Sequence, residues 1–349
     1  MIEKINIKNF TVFEDLNIEF SPRINIIIGE NGTGKSHLLK LIHSFYNSET
    51  IETLDLGASI TNNLIKLFLP LDNNLWKLKT TNSEGATEIS ADFSKGAANV
   101  SYNFNVNSKT VNLSSNAKTD IGKSSVFIPP KEVLSFMKGF NSLYEKYGLS
   151  FDKSYNDICL LLDLPNMRPE KLQEKAKWAI AEIENICQGK FIFSGSGKIT
   201  FQSKSSKYAV NTIAEGFRKI GMLARLLETG AISLGESGPL LWDEPEANLN
   251  PKLLKTLVSI LFELSRNGQQ IILSTHDYVL LKWFDSLFDI KKEDHIMYHV
   301  LYHDVETNKV KFKSTDNYLD ISPNSIMDAF DDLTDFDISK TMGELGKWK

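Results

Sequence analysis

Eight consecutive residues have the types and spacing to handle phosphate: Gly29-Glu30-Asn31-Gly32-Thr33-Gly34-Lys35-Ser36. They follow the apolar run Ile24-Asn25-Ile26-Ile27-Ile28 and precede His37-Leu38-Leu39-Lys40-Leu41-Ile42, which has the texture of a helix. A strand, a glycine-rich turn and a helix start in the spacing G-x-x-x-x-G-K-[ST] predict a phosphate-binding loop. Glycine lets the backbone fold tightly enough for successive N–H groups to point at one set of oxygens. The helix start adds a positive dipole end and free N–H groups. Lys35 can reach the β- and γ-phosphates as a point charge, and the Ser36 hydroxyl can ligate Mg²⁺. The expected ligand is a nucleoside triphosphate with Mg²⁺, held by the residues from Gly29 to His37.

A second constellation complements the first. Leu240-Leu241-Trp242-Asp243-Glu244-Pro245 is an apolar strand that ends in two adjacent carboxylates. Such a pair is common turn chemistry by itself, but beside a phosphate loop it has a use. Asp243 is expected to hold Mg²⁺, directly or through water, and Glu244 to orient and deprotonate the attacking water. Ser274-Thr275-His276-Asp277 ends the next strand, where His276 can reach toward the γ-phosphate and sense its presence.

Together these motifs resemble the nucleotide-binding head of ABC-type ATPases, and within them the SMC/RecF-like AAA-family proteins of bacterial defence and repair. The overcoming-lysogenisation-defect ATPases and the ATPase subunits of anti-phage systems belong to that group. In this likeness Gly29 to Ser36 is the Walker A motif, Asp243-Glu244-Pro245 is Walker B with its glutamate, and Glu246-Ala247-Asn248-Leu249-Asn250-Pro251 is the D-loop. Thr212-Ile213-Ala214-Glu215-Gly216-Phe217 sits where a signature motif belongs. Specific motifs carry the resemblance over 1–48 and 190–290, and outline alone carries it between them. It implies an ATPase with ATP and Mg²⁺ as ligands. It also implies a homodimer or higher homo-oligomer, with ATP sandwiched between Walker A of one copy and Ala214, Glu215 and Gly216 of the other. Hydrolysis would then let the assembly open. The sequence departs from the family pattern at Ala214, where a serine would offer its hydroxyl to the γ-phosphate, so a weaker contact across the dimer and slow turnover are expected. The Gly216 N–H and the helix N-terminus remain available. No glutamine loop is identifiable; Pro129-Pro130-Lys131-Glu132 is its expected place. Nothing after His276 resembles the Toprim nuclease domain that some relatives append, so an effector nuclease or toxin is expected on a separate chain. The alternative is a repair-type head that clamps nucleic acid, and a transporter ATPase subunit is a weaker one.

The elements that must position these groups follow from periodicity. Ile2, Ile5 and Ile7, then Leu16, Ile18 and Phe20, alternate as two strands that lead into the loop strand. Residues 51–69 have helical spacing and end at Pro70. Short alternating runs from 74 to 115, starting with Leu75-Trp76-Lys77-Leu78-Lys79, predict an antiparallel meander, more as a half-solvated sheet that completes the core than as a surface for the base or a partner. Val126-Phe127-Ile128 is a buried strand. Helices are expected over 131–188, beginning with Val133, Phe136, Met137 and Phe140, as a lid or arm. A hairpin turns at Ser194-Gly195-Ser196-Gly197, and helix–strand alternation from 214 to 288 implies a parallel sheet. The expected fold is therefore α/β: a P-loop NTPase of ABC-head type with a mixed or parallel sheet, a β-meander and a helical insertion. Its domains would be an N-terminal lobe 1–130, the insertion 131–188 and a C-terminal lobe 189–349.

Bulk properties narrow the classes. The 349 residues, 42% hydrophobic and 24% charged, suffice for a substantial core. A net charge of −5 displays no global basic field for nucleic acid or anionic membrane. Cys159 and Cys187 have neither metal-ligand spacing nor a disulfide framework, which fits a reducing cytosol. The start Met1-Ile2-Glu3-Lys4 is unlike a signal peptide and the longest apolar runs are too short for a bilayer, so a cytoplasmic location is expected. His295, His299 and His303 recur every four residues, but their neighbours are strand formers and a metal site is disfavoured. Asp328, Asp331, Asp332, Asp335 and Asp337 read as capping residues of a solvated helix-turn-helix rather than as a nuclease centre.

Overall fold

The computed structural model describes residues 1–46, 56–94, 99–114, 123–194 and 198–345. β1 (Ile2–Phe10) and β2 (Phe13–Glu19) form an antiparallel hairpin in which Ile5 pairs with Ile18 and Ile7 with Leu16. β3 (Ile24–Gly29) is buried along its whole length, as a strand covered on both faces must be. Then come α1 (Lys35–Tyr46), α2 (Leu56–Phe68), β4 (Thr87–Phe93), β5 (Asn99–Phe104), β6 (Asn112–Leu113) and β7 (Val126–Ile128). The middle of the chain forms α3 (Phe140–Tyr147), α4 (Lys153–Asp163), α5 (Glu174–Cys187), β8 (Gly189–Ser194), β9 (Lys198–Ser203) and β10 (Lys207–Ala209). The last part forms α6 (Glu215–Thr229), β11 (Leu240–Asp243), α7 (Pro251–Arg266), β12 (Ile271–Thr275), α8 (Tyr278–Leu287), β13 (Ile296–His303), β14 (Val310–Thr315) and α9 (Ser325–Leu345).

Among the described residues the central sheet has the order β14-β13-β3-β12-β11-β7, parallel throughout except for the antiparallel β13–β14 pair. A second, antiparallel sheet has the order β2-β1-β4-β5-β6, and β8, β9 and β10 make a third. Successive side chains of the central strands go to opposite layers. Ile26, Ile128, Trp242 and Leu273 join Ile158, Ile183, Leu226 and Leu257 from α4 to α7. Ile27, Phe127, Leu241 and Ile272 join Leu38 and Ile42 of α1 and Ile5, Ile7 and Ile89 of the antiparallel sheet. Gln270, just before β12, ties the layers together. Its Nε2 donates to the Ile2 and Ser21 carbonyls, each at 2.9 Å, and its Oε1 accepts from the Ile2 N–H at 3.1 Å. The architecture is the expected α/β one. The helices over 131–188 place Cys159, Leu162 and Ala179 in the same core as Trp242. No helix among the described residues is long and apolar enough to cross a membrane.

Several elements differ from expectation. Leu75–Leu78 is a 3₁₀ turn rather than a strand, because the buried pair Leu75 and Leu78 is spaced by three, not two. The stretch at 133–139 is a series of turns, and the left-handed Gly139 (φ 75°) separates it from α3. The acidic C-terminal stretch is one continuous helix, α9, rather than two with a turn; no glycine or proline lies between Ser325 and Met342 to break it. Residues 51–55 of the helix expected at 51–69, and the turn at 195–197, lie outside the described residues.

The recurring histidines lie on or beside a strand. His299 of β13 is fully buried, with Nδ1 2.8 Å from Ser314 Oγ and Nε2 3.3 Å from Asn25 Oδ1. Burial lowers its pKa to about 3, whereas an unfolded histidine titrates near ~6.5. Between those values the unfolded chain binds the extra proton, so the fold loses stability as pH falls, at a limiting slope of about 1.4 kcal/mol per pH unit. His299→Gln is expected to flatten the pH dependence of the denaturation midpoint in that window; a slope equal to the parent's would contradict this.

Candidate nucleotide site

β3 ends on Gly29 and α1 begins at Lys35, so the glycine-rich loop joins a strand's carboxyl end to a helix N-terminus. Two of its glycines are required by close approach. A Cβ at Gly29 would strike the Leu301 carbonyl oxygen of β13, and one at Gly34 (φ 94°) would sit 2.6 Å from both Phe13 Cζ and Val12 Cγ2. Gly32 (φ 85°) faces open space and is needed only for its backbone angle. The loop closes on Glu30, whose carbonyl accepts from the Thr33 hydroxyl at 2.8 Å and the Thr33 N–H at 3.4 Å. Glu30 and Asn31 are exposed at the tip. The Lys35 ammonium folds over the loop and donates to the carbonyls of Gly29 at 2.6 Å and Glu30 at 3.0 Å. Burial lowers its pKa, opposed by Glu244, Asp243, Glu246 and Glu30. Ser36 and His37 follow in the first turn of α1. The His37 ring lies edge-on to Phe68 at 5.5 Å, and its Nδ1 is buried with no hydrogen-bond partner among the described residues. Burial, then the neighbouring Lys40, lowers the His37 pKa.

The acidic pair is delivered by β11. Asp243 is 2% exposed, pairs in register with Ser274 of β12 and accepts the Ser274 hydroxyl at Oδ1. Glu244 turns the chain with φ 50°. Its N–H donates to the Ser274 carbonyl at 3.2 Å, and its Oε1 lies 3.4 Å from His276 Nδ1. Both side chains open to solvent, 31% for Glu244 and 52% for His276. Glu246, just beyond, is buried. Its Oε1 accepts from the Thr275 hydroxyl at 2.7 Å and the His276 N–H at 3.3 Å, while Oε2 is buried without a partner among the described residues. Burial raises the Glu246 pKa. The carboxyl edge of the central sheet thus brings together Lys35, Asp243, Glu244 and His276, chosen from sequence far apart in the chain.

The segment expected to act across a dimer lies at the start of α6. Ala214 occupies the N-cap position (φ −54°, ψ 138°) with no side-chain cap. Glu215 Oε1 accepts from Asn248 Nδ2 at 2.8 Å, and a Cβ at Gly216 would strike the Asn248 carbonyl oxygen. Among the described residues, 214–216 hydrogen-bonds to the D-loop segment and not to the phosphate loop of its own chain. Two groups escaped the sequence reading. In the sequence Glu246 falls within the D-loop-like segment, and no motif surrounds Lys219. Lys219 is 1% exposed, donates to the Pro130 carbonyl at 2.9 Å and to the Glu244 carbonyl, and is lowered by burial to a pKa of about 8, against the pull of Glu246, Glu244, Asp243 and Glu215. A helix with lysine and arginine side by side looks solvated in sequence; the only available signal was that Lys219 lies four residues from Glu215, on the same face. In the segment Pro129 to Glu132, the Pro130 carbonyl accepts from Lys219 and buried Glu132 accepts from Arg218 Nε at 2.8 Å.

Comparison with known proteins bears on the family and the fold. A family model described as "AAA ATPase domain" matches residues 1–223. The chain belongs to that family. A second model, "AAA domain, putative AbiEii toxin, Type IV TA system", matches residues 171–282. The chain is 45% identical over 42 residues to the DNA replication and repair protein RecF of Ligilactobacillus salivarius (strain UCC118), a stretch that is 12% of this chain and 11% of that relative. RecF of Lactococcus lactis subsp. cremoris (strain MG1363) is 43% identical over 42 residues, 12% of each chain. These matches span about a tenth of the curated relatives. Among solved structures, the SMC head domain from Thermotoga maritima superposes with TM-score 0.54 at 14% identity, covering 90% of this chain and 99% of that one. An SMC head bound to the C-winged helix domain of ScpA gives TM-score 0.57 at 13% identity over 91% and 98%. The fold of this AAA-family chain is that of an SMC-like P-loop ATPase head.

The bare N-cap at Ala214 generates a prediction independent of any ligand. Ala214→Ser supplies an oxygen for the free N–H groups of α6 and is expected to stabilise the fold by about 0.5–2 kcal/mol. Thermal unfolding reads this out as a raised Tm; an unchanged or lower Tm would show that the first turn of α6 cannot accept the cap.

Proposed function

We propose that this AAA-family head is an Mg²⁺-dependent ATPase whose nucleotide state switches a separate effector protein in bacterial defence. The observation that carries the catalytic part is the convergence of a buried lysine, a strand-end aspartate, a solvent-facing glutamate and a histidine at one sheet edge. The residues fit the ligands. Gly29 and Gly34 let the loop pack directly against Leu301 and against Val12 and Phe13, Gly32 faces open space, and Lys35 lies over the loop. Asp243 Oδ1 is engaged by Ser274, and Asp243 with the Ser36 hydroxyl would supply hard oxygen donors for Mg²⁺. Bound Mg²⁺ would offset charge on the β- and γ-phosphate oxygens.

In this reading Lys35 and the loop N–H groups hold the triphosphate, and Glu30 and Asn31 border it at the tip. Glu244, open enough for water to reach, takes the proton from the water that attacks the γ-phosphorus. His276 steadies the Glu244 carboxylate at 3.4 Å and faces the same space. Two copies closing on ATP would bring Ala214, Glu215 and Gly216 of one to the nucleotide of the other. Without a serine hydroxyl at 214, that contact relies on the helix N-terminus and turnover is slow. The match of 171–282 to a model described as a putative toxin of a toxin–antitoxin system supports the defence setting. The ScpA domain seated on a structurally similar head supports a protein partner for this one. A nucleic-acid clamp is the second reading, favoured by the RecF similarity and opposed by the net charge of −5; DNA retention in a gel shift that weakens steeply with salt would favour it.

Glu244→Gln is expected to keep ATP affinity while phosphate release falls about 100-fold or more, and Lys35→Ala to lose ATP affinity by calorimetry. Undiminished release in the first, or unchanged affinity in the second, removes that residue from its role. Light scattering on Glu244→Gln should show the mass doubling with ATP and Mg²⁺; a mass unchanged by nucleotide argues against closure by ATP alone.

A further inference from the structure

The backbone between β11 and α7 takes two left-handed turns at residues with side chains, Glu244 (φ 50°) and Asn248 (φ 63°). Such conformations are sparse for residues other than glycine and persist where the surroundings dictate them. Here the surroundings are one face of α6. Glu215 accepts from Asn248 Nδ2 at 2.8 Å, and Gly216 lies so close to the Asn248 carbonyl that a Cβ could not fit. One turn further, Lys219 donates to the Glu244 carbonyl and, at 2.9 Å, to the carbonyl of Pro130 beyond β7. The Glu244 main chain is therefore held on both sides: its N–H by the Ser274 carbonyl at 3.2 Å and its carbonyl by Lys219. A buried ammonium directed at two uncharged carbonyls is a costly way to fill space, since an apolar chain of the same length would avoid the desolvation. Its distinctive capacity is to donate in two directions at once, to the strand ends on either side.

We infer that Lys219 is a positioning residue for Glu244: its ammonium fixes the carbonyl of the turn and so holds the Glu244 carboxylate where it meets His276. The inference rests on the assignment of Glu244 as the base. Lys219 touches neither nucleotide nor attacking water in this reading; it acts through the backbone. It also makes α6 the element that shapes the whole 244–248 loop, with Glu215 at one end and Lys219 at the other.

The test is steady-state ATP hydrolysis and ATP-binding calorimetry on the full chain carrying Lys219→Met, which keeps the length of the side chain and removes the donor. The expected result is a fall in kcat of about tenfold or more with the ATP Kd within about twofold of the parent, the split given by a group that acts only on the chemical step. In the Glu244→Gln background the same change should lower residual turnover no further, because the carboxylate it positions is already gone. If the Met variant does not fold, Lys219→Leu, which also removes the donor, is measured in the same way. A folded variant with parental kcat, or an additional loss on top of Glu244→Gln, overturns the inference while leaving the base in place. Full turnover in Glu244→Gln alone removes the base assignment and this inference with it, so the two failures are distinguishable.

Discussion

Charge compensation at the carboxyl edge of the central sheet is the constraint on which the rest of the molecule depends. Two ammonium groups, Lys35 and Lys219, are buried there among Asp243, Glu244 and Glu246. Among the described residues neither lysine forms a simple ion pair. Each satisfies its N–H groups on main-chain carbonyls and takes its electrostatic balance from the surrounding acids through space. Such a group is tolerable in a low-dielectric site only if every member stays in place, because a misplaced partner leaves an uncompensated buried charge. The partly open Glu244–His276 pair is where this set meets solvent.

The scaffold is built to keep those positions. β3, β12 and β11 are in register, with Ile28 beside Thr275 and Asp243 beside Ser274, so the strand ends form a single rim. Their alternating side chains go into two different cores, one with the helices from the middle and end of the chain and one with α1 and the antiparallel sheet. A strand held on both faces cannot slip in register without exposing one full set of apolar residues. Gln270 adds a polar clasp between the N-terminal strand and the base of β12, far from the rim. α6 is the element that crosses from the first of these cores to the rim. Its apolar residues Ile220, Leu223 and Leu227 are buried, while Glu215 and Lys219 engage the loop after β11.

The likeness to SMC heads, at identities of 13–14% over nine-tenths of the chain, is a likeness of fold. The antiparallel sheet here has a polar outer face in which Asn6, Asn17, Ser90, Ser101 and Asn103 line a shallow cavity of about 510 Å³. It is concave and carries both signs of charge, and its inner face supplies Ile7, Ile89 and Tyr102 to the core around α1. That matches the half-solvated sheet expected from alternation, in which each strand contributes one face to packing and one to water.

Much of the candidate site was legible in the sequence because its chemistry is local. The loop from Gly29 to Ser36 needs glycines, a lysine and a hydroxyl within one turn, between a strand and a helix, and all of these are adjacent in the chain. Asp243-Glu244 and Ser274-Thr275-His276 likewise announce themselves at the ends of apolar runs. The parallel sheet followed from helix–strand alternation. Local signals failed where two periods compete over a few residues, as at Leu75–Leu78, or where only composition suggested a break, as in α9. The roles of Lys219 and Glu246 depended on tertiary structure alone. Lys219 meets carbonyls 89 and 25 residues away, and Glu246 meets a hydroxyl 29 residues away. Whether a lysine is buried and what it donates to are settled by which strand ends the fold sets around it. A one-dimensional pattern reports only its own neighbours. The sequence by itself determined that phosphate chemistry sits on an α/β sheet; the packing of α6 against that sheet decided which side chains hold the candidate base in shape.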